Sequence, residues 1–106
     1  MLFRSIQILP VKAEAEVCTG DRISMEAEIV TNLDSLQISW SNDEGPLAND
    51  QHFTITNNMN HTALEISNTS LSHSGNYTVQ ALMPNHQQYN DIFRFKLKVL
   101  GEIMFI

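Results

Sequence analysis

The sequence predicts an all-β domain, a Greek-key sandwich of two antiparallel sheets. Three observations carry that expectation. Apolar residues recur at every second position through most of the chain, and no long segment repeats at helical spacing. Turn chemistry rich in Asn, Asp, Gly, Ser and Pro breaks those runs at short, even intervals, the mark of a sandwich or barrel. The chain has 106 residues, enough for one domain with a real but thin core, and its single cysteine allows no internal disulfide.

The elements follow in order. Ile6 and Ile8 alternate before Pro10, which suits an edge strand because proline cannot donate to a ladder. Ala13, Ala15 and Val17 resume the alternation as a strand that crosses to the opposite sheet after the Pro10 break. Residues 22–30 form the next strand, with Ile23, Met25, Ala27 and Ile29 inward, and Asn32-Leu33-Asp34-Ser35 turns the chain. Leu36, Ile38 and Trp40 make a further alternating set, closed by the polar turn Ser41-Asn42-Asp43-Glu44-Gly45-Pro46. Residues 52–57 alternate around Phe53 and Ile55, and Asn57-Asn58-Met59-Asn60 is a hairpin turn into a strand carrying Leu64 and Ile66. Leu71-Ser72-His73 fits a short helical turn. Tyr77, Val79 and Ala81 face inward on the strand after it. Pro84-Asn85-His86 turns the chain into a last strand, 92–100, whose core positions are Phe93, Phe95, Leu97 and Val99 or the residues of opposite parity.

Ser74-Gly75-Asn76-Tyr77-Thr78-Val79 is the most specific stretch. Together with Gly20-Asp21, Ile23, Met25, Trp40, Leu64-Glu65-Ile66 and Gly75, it resembles an immunoglobulin domain of the intermediate set over nearly the whole chain. The distance from Trp40 to Leu64 leaves little room for the extra strands of a variable-type domain. The resemblance implies that Tyr77 hydrogen-bonds to backbone at a corner, that Trp40 is the core tryptophan, and that cysteines would stand at positions 27 and 79. Ala27 and Val79 stand there instead, so both halves of the buried bridge are lost together. His73 replaces an aspartate that commonly pairs with a basic residue across the sandwich base. Bridge-free domains of this superfamily include membrane-proximal domains of growth factor receptor tyrosine kinases, to which Ile6-Gln7-Ile8-Leu9-Pro10 and Gly75-Asn76-Tyr77-Thr78-Val79 are similar, and intracellular domains of giant muscle proteins. Residues 68–74 lack the basic and acidic pair by which some receptor-kinase domains associate laterally.

Charge and chemistry narrow the function. A formal charge of −6 argues against nucleic acid and anionic membrane surfaces. No segment has the length of a membrane span or the pattern of a signal peptide. Met1-Leu2-Phe3-Arg4 reads as a start added to an excised fragment, and Ile103-Met104-Phe105-Ile106 as a stub toward a neighbouring domain, with residues 1-101 the domain and 102-106 a linker. Asn60-His61-Thr62, Asn68-Thr69-Ser70 and Asn76-Tyr77-Thr78 are N-glycosylation sequons on or beside turns. They favour an extracellular setting, whereas the missing disulfide favours a reducing one.

No catalytic, cofactor-binding or metal site is expected. His52, His61, His73 and His86 lack ligand spacing and read as solvated loop or turn residues. Glu14, Glu16, Glu26 and Glu28 alternate with apolar residues, the solvent side of a sheet. Asp43, Glu44 and Asp50 lack the spacing of a calcium loop. Cys18 reads as a buried or half-buried inert thiol, with an intermolecular bridge as the sharper alternative. No nucleophile elbow or phosphate loop occurs. Arg94, Lys96 and Lys98 alternate along the last strand and offer a basic face to an acidic partner. The expected function is a non-enzymatic spacer and protein-binding module of a multidomain, membrane-anchored receptor or adhesion protein, or alternatively of an intracellular sarcomeric or cytoskeletal scaffold. Its partner is a protein, either another immunoglobulin domain or a second copy, with no cofactor, nucleic acid or small-molecule substrate.

Overall fold

The computed structural model describes residues 5–33, 35–58 and 60–101. The expectations for residues 1–4, Asp34, Met59 and 102–106 fall outside them.

Among the described residues nine strands form two sheets. They are β1 (Ile6–Pro10), β2 (Glu14–Cys18), β3 (Ile23–Thr31), β4 (Gln37–Asn42), β5 (Gly45–Pro46), β6 (Phe53–Asn58), β7 (His61–Ile66), β8 (Gly75–Met83) and β9 (His86–Leu100), with one 3-10 turn, Leu71–His73, before β8. One sheet has the order β1-β3-β7-β6 and the other β2-β9-β8-β4-β5. The break at Pro10 sends β1 and β2 to different sheets, as its missing N–H and the renewed alternation at Ala13 required.

The inward parity expected for β3, β4, β7 and β8 holds, and in β9 Phe95, Leu97 and Val99 are the residues that turn inward. Met25, Ala27, Ile29, Trp40, Leu64, Ile66, Tyr77, Val79, Ala81, Phe95, Leu97 and Val99 are buried. Trp40 stacks on Phe95 at 5.5 Å, and Phe93 meets Phe95 edge-on at 4.9 Å. Gly75 opens β8 at φ 142°, a region that favours glycine, and a Cβ there would meet an Asp43 carboxylate oxygen at 3.3 Å.

Four details depart from the sequence expectation. The second sheet is mixed, because β2 runs parallel to β9; a strand that crosses over after a short kink keeps its direction and meets the last strand from the same end. The last strand begins at His86, well before residue 92. Its first residues are polar on both faces and are held by the β8 ladder, with a register shift at Leu82/Met83. The 41–46 turn is a tight hairpin in which Ser41 pairs with Pro46 and Asn42 with Gly45. Cys18 is exposed, because Val17 takes the inward position and the next residue must point out.

Candidate functional site

Ala27, Trp40, Tyr77 and Val79 are all buried in one cluster. Ala27 and Val79 are both fully buried, on β3 of one sheet and β8 of the other. Trp40 lies directly across β4 and β8 from Val79. Its indole Nε1 donates to Thr62 Oγ1 at 2.9 Å, and that hydroxyl donates onward to Asn57 Oδ1 at 2.6 Å. The role of Thr62 was not read from sequence; its place at an inward position of an alternating strand, between His61 and Ala63, was the available signal.

Tyr77 makes the predicted corner. Its hydroxyl donates to the His73 carbonyl at 2.6 Å. Burial, then the nearby Asp43 and Glu44 carboxylates, push its pKa up to about 12. The 3-10 turn beneath it is capped reciprocally. The Ser70 N–H donates to His73 Nδ1 at 2.9 Å, which fixes that nitrogen as an acceptor. Thr69, buried, donates to the carbonyls of Cys18 and Asp21 and ties the corner to the β2–β3 connection.

Two of the histidines are not simple solvated loop residues. His52 and His73 come together at the sandwich base, ring centroids 5.2 Å apart, with the Phe53 ring 5.6 Å from His73. His52 Nδ1 faces the Ser67 carbonyl at 3.1 Å and so donates to it. This tilted ring cluster lies at the position where the family commonly has an acid–base pair and where His73 replaces the acid. Burial and the neighbouring His52 lower the His73 pKa, with Asp50 opposing. The Asp50 carboxylate itself accepts from the N–H groups of Phe53 and His52, which lower its pKa. Its Oδ1 is therefore committed to capping a backbone turn. Among the described residues no three His, Cys, Asp or Glu side chains converge as metal ligands. No helix there is long and apolar enough to cross a membrane.

The surface candidates separate by face. Arg94, Lys96 and Lys98 all point outward on β9. The parallel register sets Glu14 beside Lys96 and Glu16 beside Lys98, so the basic row has an acidic flank. Asn60, Asn68 and Asn76 are all exposed. Asn60 lies in the β6–β7 hairpin, Asn68 has φ 50°, and Asn76 points out between Gly75 and the buried Tyr77.

The model of the immunoglobulin I-set domain matches residues 6–99. No curated protein sequence matches the chain. Among solved structures, titin domain M4 superposes with TM-score 0.82 at 16% identity, covering 94% of this chain and 100% of that one. The titin tandem A164-A165 gives 0.80 at 18%, covering 92% of this chain and 50% of the pair. A complex of titin M10 with an obscurin-like 1 immunoglobulin domain gives 0.82 at 12%, covering 96% and 100%. The chain therefore spans half of the tandem structure it matches, and at these identities the likeness is one of fold. With the family model covering nearly the full length, and Trp40, Tyr77 and both sheets in place, the chain belongs to the immunoglobulin I-set family.

Proposed function

We propose that the chain is a non-enzymatic spacer and protein-interaction module of a multidomain protein, and that the parent is an intracellular scaffold of the sarcomeric or cytoskeletal kind. The observation that carries this reading is the bridge-free core. Ala27 and Val79 are fully buried where the resemblance would put cysteines, and Trp40 packs in the same cluster. Such a core does not depend on an oxidising compartment, and the exposed lone thiol of Cys18 suits a reducing one. The likeness to titin domains supports the same reading. A fold alone assigns no partner. The titin M10 complex makes another immunoglobulin domain a reasonable partner class, and the outward row Arg94, Lys96 and Lys98 is the face we assign to an acidic one.

The second reading, an extracellular module of a membrane-anchored receptor or adhesion protein, is favoured by one observation: all three sequon asparagines are exposed. Thr62, however, has a structural duty that accounts for its presence without a glycan. Expression of the full parent in secretory cells, followed by glycosidase treatment and a gel, discriminates the two. The scaffold reading expects no mobility shift. Glycan at Asn60, Asn68 or Asn76 would overturn it in favour of the extracellular one.

A further inference from the structure

We propose that the outer edge of β2 is a docking site for an extended peptide segment of another protein whose side chains alternate between basic and apolar. The inference rests on the reading of the domain as a protein-binding module, and it concerns a different surface from the Arg94–Lys98 row.

The sheets have four lateral edges; β1 and β6 are blunted by side chains, and β5 covers the end of β4 at Ser41 and Asn42. On β1 the Ile8 N–H is taken by Asp91 Oδ2 at 2.8 Å, and Pro10 has no N–H to offer. On β6 the N–H groups of Phe53 and Ile55 are taken by the side chains of Asp50 and Asn49, and the Phe53 carbonyl accepts from the Asp50 N–H. The fourth-strand side of the second sheet is shortened by β5, which is two residues long and contains Pro46.

The β2 edge is different. The Lys96 N–H donates to Ala13 at one end of the β2–β9 ladder, and the Thr19 N–H donates to Leu100 at the other. In a parallel ladder the residues between them alternate. Ala15 and Val17 therefore turn their backbone groups to β9, and Glu14, Glu16 and Cys18 turn theirs away. The Cys18 carbonyl is used by the Asp21 N–H and Thr69 Oγ1. Among the described residues no hydrogen bond reaches the outward N–H and C=O of Glu14 and Glu16, or the N–H of Cys18. Beside this edge lies a groove of about 360 Å³ between the sheets, lined by the apolar Val11, Ala15, Ile23 and Met25 and, among charged groups, by three glutamates against the single cation Lys12.

The side chains select the occupant. An added strand would set alternate side chains against Glu14 and Glu16 on the outer surface, and the intervening ones over Ala15, Ile23 and Met25 in the groove. Basic residues suit the first set and apolar residues the second. A second copy pairing through its own β2 would bring glutamate against glutamate, so the same charges oppose self-pairing.

The test uses the intact chain, isotopically labelled for amide NMR, and a synthetic peptide of alternating Lys and Val. A Glu-Val peptide of equal length is the control. The expected result is that the Lys-Val peptide shifts and protects the amides of Glu14, Glu16 and Cys18, and that the control does not. Glu16→Pro removes an outward N–H that the fold does not use. It should weaken the Lys-Val peptide by about tenfold, through one lost ladder bond and the steric bar of the ring, with the spectrum otherwise retained. Glu14→Lys with Glu16→Lys should reverse the preference toward the Glu-Val peptide. Wild-type affinity in Glu16→Pro, shifts that map to Arg94–Lys98 instead, no binding, or a dimer lost on Glu16→Pro would each overturn the proposal. Failure here leaves the interaction-module reading to association-rate measurements on Lys96 and Lys98 variants, which probe the outward row of β9 and not the edge of β2.

Discussion

A single hydroxyl holds Trp40 in place. Thr62 is fully buried; it accepts the indole proton and passes its own to Asn57. Of all core side chains, Trp40 has the largest volume, and its one polar atom has no access to water. Thr62→Val keeps shape and volume but leaves the indole N–H unsatisfied, so it should destabilise the domain by about 1–3 kcal/mol. Thr62→Ser keeps the hydroxyl and loses one methyl, a smaller deficit of about 0.8 kcal/mol for the apolar area. Chemical denaturation of the three proteins checks the order. A valine variant as stable as wild type would mean that the hydrogen bond contributes nothing net to the core. Val79 and Ala27 complete the same region: two apolar side chains leave no orphaned thiol where a bridge would stand.

The strands were legible wherever one face is buried. In β3, β7 and β8 every second residue must avoid water, so a period of two in the sequence fixes which side chains point in. The same parity would have placed Cys18 outside, once Val17 was taken as inside. The start of β9 was not legible, because His86, Gln87, Gln88 and Asn90 are exposed and only ladder hydrogen bonds make that segment a strand. The histidine pair was also hidden, since His52, just before β6, and His73, in the 3-10 turn, are far apart in sequence and meet only in the fold. That corner carries a pH dependence. His73 must be unprotonated at Nδ1 to accept the Ser70 N–H, and burial and His52 lower its pKa from 6.5. A histidine whose folded pKa is lowered contributes stability that is present above the unfolded value and is lost as pH falls below it. Asp50 opposes this shift without reversing its sign. Unfolding midpoints should therefore fall between pH 7.5 and pH 5.5, and His73→Gln should flatten that fall. An equal slope in the variant would assign the dependence to other groups.

At the scale of the whole molecule, a row of outward cations is set into an acidic surface. The formal charge is −6. Glu26, Glu28 and Glu65 belong to the β1-β3-β7-β6 sheet, where Arg22 approaches Glu65 at 3.5 Å and His61 approaches Glu26 at 3.6 Å. Arg94, Lys96 and Lys98 belong to the other sheet. Their Glu14 and Glu16 neighbours match them in register, yet neither pair closes to ion-pair distance among the described residues. A row of exposed cations on an otherwise acidic domain steers encounter more than it holds a complex. Replacing Lys96 and Lys98 together by glutamate should slow association with an acidic partner, or with a second copy, at low salt. The difference should shrink near physiological ionic strength, where the screening length is about 8 Å. The variant also sets four carboxylates side by side across β2 and β9, so a stability loss of about 0.2–1 kcal/mol per like-charged pair is expected and must be measured alongside. Lys96→Ala with Lys98→Ala removes the steering charge without creating that repulsion, and should show the same slowing at smaller size. Association rates that are equal to wild type at every salt concentration in both variants would make the row a solvated strand face and move the interface elsewhere on the domain.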